Sequence, residues 1–191
     1  MAKIGLNNFR YSKLTESEEG KATYDGAKKP AKAISCKVDI SNNDASLYAD
    51  DVLAESDTSF QKGSVTVGID NEDVQIMADL LGHTVSKDQA ELVRNATDVA
   101  PYVGFGRIVT KMVNGAYKYT VEFLCKVKFS EPSQDDSTKG ESVSFSTTEL
   151  AGTVATLADG TWSKSKTFGT RTEAVTYLEG LMAKTSAVKK S

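Results

Sequence analysis

The chain has 191 residues, 39% apolar and 26% charged, enough for one domain that buries about 70% of its unfolded surface without a disulfide or metal staple. Two cysteines, Cys36 and Cys125, and one histidine, His83, exclude a disulfide scaffold, a four-ligand zinc site and histidine-rich metal centres, and no run approaches the roughly 20 apolar residues of a membrane helix. The formal net charge of −3 hides a division, because residues 1–40 carry 8 basic against 5 acidic side chains, residues 41–100 carry 3 against 12, and residues 101–191 carry 12 against 9.

An acidic centre between basic flanks is self-complementary, within one chain or between copies. It is not the concentrated basic patch of a nucleic-acid binder. The N-terminal residues hold no apolar signal core, so a soluble protein folded in a reducing compartment is expected.

In chain order, residues 1–31 show little periodicity and predict an extended arm with at most one short strand. From residue 32 the pattern alternates. Ile34, Cys36, Val38 and Ile40 point one way, and Ser35, Lys37 and Asp39 the other, which is a half-buried strand. Asn42-Asn43-Asp44 is turn chemistry. Residues 50–61 read as a long acidic loop or as a hairpin whose tip projects. Val65, Val67 and Ile69 make another strand. Asp70 is placed as an N-cap for a helix over 70–81, with Val74, Met77, Ala78 and Leu81 on one face and Gly82 closing it.

Residues 83–100 predict loop. Tyr102 to Val113 predicts a strand and Asn114-Gly115 a tight hairpin. The return strand, Tyr117 to Phe129, puts seven apolar positions at period two on one face, with Leu124 alone breaking the polar face. Val143 and Phe145 mark a strand running to Leu150, and Gly152 to Leu157 adds another. Asp159-Gly160 is a turn. Thr170 and Glu173 form a capping box that starts a helix over 171–183, and residues 184–191 are a fraying tail. Strands outnumber helices and most have one polar face, which predicts an antiparallel β-sandwich or flattened barrel over residues 32–183 with two flanking helices.

Catalytic equipment is sparse. His83 follows a helix C-terminus and reads as a surface or capping histidine. Cys36 and Cys125 fall on apolar strand faces, where thiols are poor nucleophiles; a disulfide between them requires neighbouring strands. Gly104-Phe105-Gly106 lacks the third glycine and the following helix of a phosphate loop, and reads as a bulge or a close-packing site. Asp39, Asp44, Asp50 and Asp51 carry oxygen ligands suited to calcium but have no EF-hand spacing. No catalytic residue, cofactor site or metal site is assigned, and the chain reads as a protein that works by shape rather than as an enzyme.

Four blocks in order carry a resemblance: Ile4-Gly5-Leu6-Asn7-Asn8-Phe9-Arg10-Tyr11, Lys32-Ala33-Ile34-Ser35, Leu47-Tyr48-Ala49-Asp50-Asp51 and Val65-Thr66-Val67-Gly68-Ile69-Asp70. Together they resemble the major tail proteins of long-tailed bacteriophages, especially those of Gram-positive hosts, over roughly residues 1–130. The resemblance implies a structural virion protein with a β-sandwich and flanking helix, related to type VI secretion tube proteins. Such subunits form hexameric rings that stack into a tail tube through which double-stranded DNA passes without specific recognition. It also implies a non-contractile tail, assembly in the host bacterial cytoplasm, tape-measure and tail-terminator partners, and no enzymatic activity.

On that reading, Asp50, Asp51, Glu55 and Asp57 of one copy are expected to meet Lys28, Lys29 or Lys32 of another. The arm of residues 1–31 and the acidic segment are expected to order on assembly. The alternative is a monomeric β-sandwich module that recognises carbohydrate or protein, with calcium at the acidic loop.

Overall fold

The structure, a computed structural model, describes residues 2–43, 45–49, 52–86, 91–133 and 147–184, with the backbone alone for 45–49 and 52–57. In chain order the elements are β1 (Ala2–Glu16), β2 (Ala22–Tyr24), β3 (Ala33–Asn42), β4 (Ala45–Ala49), β5 (Val52–Asp57), β6 (Phe60–Ile69), α1 (Val74–Leu81), β7 (Thr84–Val85), β8 (Leu92–Val93), β9 (Tyr102–Val113), β10 (Ala116–Phe129), β11 (Thr148–Ala155), β12 (Ser163–Phe168) and α2 (Arg171–Leu181). The fold is mainly antiparallel β. The large sheet runs β2-β1-β9-β10-β11-β6-β3, and β12 adds to β10. β3 returns beside β1 without pairing to it, so the sheet curls toward itself. Among the described residues no helix is long and apolar enough to cross a membrane.

Two cores lie on opposite faces of β9 and β10. The first fills the curl, with Phe9, Tyr11, Val65, Val67, Ile69, Val103, Phe105, Leu124, Val127, Phe129 and Leu150, and α1 closes it with Met77, Leu80 and Leu81. The second lies under α2, where Ala174, Leu178 and Met182 pack on Ile108, Val121, Phe123 and Cys125. Gly104 and Gly106 make room for that cover. A Cβ on Gly106 would sit 2.3 Å from Leu178 Cδ1, and one on Gly104 2.6 Å from Tyr24 Cε1. The Gly-Phe-Gly run is therefore a packing site, one of the two structural readings its sequence allows.

The strict period-two reading of residues 117–129 is corrected by a bulge. β10 advances from Leu124 to Val127 while β9 advances only from Phe105 to Val103. One extra residue flips the side-chain alternation. Val121, Phe123 and Cys125 therefore face α2, whereas Val127 and Phe129 join Leu124 in the first core. Leu124, the one exception in the polar face, was the signal of this switch. At the same point β10 changes neighbours. Residues 119–124 pair with β12 and residues 126–129 with β11, and the Cys125 N–H bonds to the Trp162 carbonyl at 2.9 Å.

Residues 1–31 are not an extended arm. β1 is a strand inside the sheet, between β2 and β9, and its Phe9 and Tyr11 are 1% and 2% exposed. Its pattern is hidden by a bulge between Asn7 and Arg10, where Asn8 takes φ 53°. Asparagine tolerates that left-handed backbone, and the extra residue puts Leu6 and Phe9 on the same side despite their odd spacing.

The first helix starts later than expected. Its N-cap is Asp73, whose carboxylate accepts from the N–H groups of Gln75 and Ile76 at 2.9 and 3.3 Å; Asp70 instead accepts from the Lys32 N–H at 2.8 Å. Gly82 ends it at φ 82°, as its position predicts. The Asn114-Gly115 turn, the Asp159-Gly160 turn and the Thr170/Glu173 capping box all form. β12, with its polar sequence Ser-Lys-Ser-Lys-Thr-Phe, was not anticipated. Residues 148–155 form one strand where two were expected; Val143, Phe145 and the tail beyond Lys184 lie outside the described residues.

Candidate assembly surface

The seven residues singled out for contacts between copies fall into two groups. Glu55 and Asp57 lie on β5, and Asp50 and Asp51 lie outside the described residues. Of the two forms open to residues 50–61, loop or hairpin, the described backbone has the hairpin's pairing, β4 with β5. β3 and β6 pair down to Asn42 and Phe60, and the chain then continues into β4 and β5, which pair only with each other. Residues 43–59 hold five acidic side chains and no Lys or Arg.

The lysines are differently placed. Lys28 is bound within its own chain. Its Nζ lies 2.5 Å from Asp79 Oδ2, and its backbone exchanges hydrogen bonds of 2.9 and 2.8 Å with Tyr11. Asp79, on α1, also accepts from the Tyr11 hydroxyl at 3.0 Å and has Lys13 Nζ at 3.3 Å. Burial pushes the Asp79 carboxyl up, but the hydrogen bonds from Lys28 and Tyr11 and the charge of Lys13 outweigh it and hold the group below the usual carboxylate range. The Tyr11 phenol is pushed far up, by burial first and then by Asp79. This clasp ties β1 and the 25–32 segment to α1. Lys32 Nζ approaches Asp70 at 3.9 Å, and Lys29 is exposed. Lys28 and Lys32 thus have partners at home. Asp79 was not singled out, because its partners lie 51 and 68 residues away in sequence.

His83 is a corner brace rather than a surface histidine. Its ring is 8% exposed, with Nδ1 2.8 Å from Asp98 and Nε2 2.9 Å from Glu131, whose other oxygen accepts from Arg94 Nε at 2.7 Å. The Asp98 bond, aided by Glu131 and opposed by burial, raises its pKa. Three segments meet there: the exit of α1, the loop before β9 and the end of β10.

Cys36 and Cys125 sit against different cores and are free. Burial pushes both thiols up, Cys125 to about 11, so neither is an activated nucleophile. Asp39 pairs with Lys37 at 2.9 Å, and Asp44 lies outside the described residues.

In the large sheet, the outer edges of β2, β3 and β12 have no strand partner among the described residues. Ile34 and Ile40 on β3 are 48% and 37% exposed. Unpaired N–H and C=O groups beside exposed isoleucines form a template for another chain. Compared with protein-family models and with curated proteins, the chain has no match.

Proposed function

We propose that this chain is a self-assembling structural subunit whose copies join through sheet edges and hairpins into stacked rings, the tail tube of a long-tailed bacteriophage. The observation that carries the reading is the second hairpin, β4–β5. It continues β3 and β6 past the core, pairs only with itself and borders an open edge strand. An isolated two-stranded hairpin is marginal in water, so a chain that works alone gains little from it, whereas a chain that docks on copies of itself gains a reaching segment. The four sequence blocks that carry the resemblance lie on β1, on the start of β3, in the β4–β5 hairpin and on β6. One block thus falls in that hairpin and two on β3 and β6, the strands it continues. Ring closure and stacking multiply weak contacts through multivalency.

Electron microscopy and sedimentation of the purified chain across a concentration series test this. Rings or tubes are expected. A monomer at every soluble concentration, with calcium-dependent binding of a glycan, would replace this reading with that of a binding module.

A further inference from the structure

We propose that a row of three lysines, Lys3, Lys111 and Lys118, together with Arg107, is the docking site for the acidic hairpin, residues 43–59, of a second copy of this chain. The inference rests on the self-assembly reading above and names the contact that would join the copies.

The row follows from the strand register. Lys3 of β1 lies directly opposite Lys111 of β9, and Lys111 directly opposite Lys118 of β10. Directly paired residues share a face, so the three lysine side chains leave the same face of three adjacent strands. Like charges in that position destabilise a sheet. None of the three has an ion-pair partner among the described residues, whereas Lys13, Lys28, Lys37 and Lys126 each do. A stable monomer gains nothing from this arrangement, but an anionic partner does.

Further along the same face, Arg107 lies opposite Glu122. One guanidinium nitrogen of Arg107, Nη1, is buried and has no acceptor, and a buried donor without an acceptor costs free energy until one arrives. Two hollows flank the row. One of about 290 Å³ is lined by Lys3, Leu6, Arg107 and Glu122 among others. The other, of about 440 Å³, includes Lys111, Lys118 and Thr120 in its lining. The opposite face of the same hairpin end is apolar and bare. Met112 and Tyr117, directly paired, are 40% and 56% exposed, and nearby Ile4 is 48% exposed.

Charge complementarity selects the occupant. Residues 43–59 carry Asp44, Asp50, Asp51, Glu55 and Asp57 with no balancing cation. The lysines first expected to receive them, Lys28 and Lys32, already face Asp79 and Asp70 of their own chain. Because the hairpin and the row are different surfaces, the contact is heterologous. Such a contact passes from copy to copy and closes as a ring or runs on as a filament.

The test is zero-length carbodiimide cross-linking of the full chain, with equal parts of light and heavy-nitrogen copies. Mixed-isotope links from Lys3, Lys111 or Lys118 to acids of residues 43–59 are expected. The K111E/K118E variant should lose self-association by roughly tenfold or more at low salt while its thermal midpoint stays level or rises, because one like-charge pair across β9 and β10 replaces another and Lys3 gains an opposite charge at residue 111. Adding E55K/D57K to the same chain should restore assembly.

Links confined to one isotope, or a K111E/K118E chain that assembles like the parent, overturn the inference. So does a variant that assembles normally but loses binding to added duplex DNA, because the row is then a phosphate contact. Parent rings whose cross-links run elsewhere sink this inference alone. A parent that forms no assembly sinks the self-assembly reading as well.

Discussion

Asp79, in the last turn of α1, and His83, just past its exit, respond to pH in opposite directions. The folded pKa of Asp79 is depressed, so the clasp's contribution is complete above the ordinary aspartate range near 4 and is lost as pH falls through the folded value. D79N should lower stability by about 2 kcal/mol at neutral pH, and the gap to the parent should close in acid. Urea midpoints at several pH values check this; a gap that ignores pH would mean that the charge is not what holds Lys28.

The folded pKa of His83 is raised, so its brace is complete below about 6.5 and is lost as pH rises past the folded value. H83Q should therefore differ most from the parent at pH 5–6 and converge with it at alkaline pH. Hydrogen exchange at the α1 exit and at residues 130–133 reads that difference directly.

Among the elements, β1 decides what the N-terminus is for. It lies between β2 and β9 and supplies Phe9 and Tyr11 to the core. Deleting residues 2–15 should abolish cooperative unfolding rather than trim an assembly arm. A truncated chain that keeps a sharp thermal transition would refute this placement.

The strand was illegible because two devices cooperate to hide it: polar Asn7, Asn8, Arg10 and Ser12 interleave with the apolar residues, and the Asn8 bulge resets the period. Where local chemistry is sufficient, the sequence alone was a good guide. Asn114-Gly115, Gly82 and the Thr170/Glu173 box each specify their backbone within four residues, and each forms. Where tertiary contacts decide, it was not. β12 reads as loop because Lys164 and Lys166 line it, yet Lys166 lies over the ring of Phe168 on its own strand and over that of Tyr177, which α2 supplies. The lysine row was hidden for the same reason, since three lysines scattered over 116 positions become neighbours only through register.

At the scale of the whole molecule, the β4–β5 sheet is separate from the large sheet, so on the proposed self-assembly it can serve association without serving folding. Replacing residues 43–59 with an Asn-Gly turn joining β3 to β6 should leave the thermal midpoint within a few degrees, because that sheet pairs only with itself and a shorter loop closes at little entropic cost. Self-association should fall to background in light scattering. If the shortened chain still forms the parent's rings, the hairpin is not the reaching segment. In the parent, raising salt from low to physiological strength should weaken assembly, because exposed charges are screened beyond about 8 Å.

The place of β1 also sets an order of events at birth. Tyr11 finds its partner Phe105 only after 94 further residues have been made, and the second neighbour of β9 follows later still. The first strand to leave the ribosome meets β2 and Lys28 early, but its whole β9 edge waits open until more than half of the chain exists. Long-range pairing of this kind slows folding, and the wait exposes an unpaired strand edge to other nascent chains.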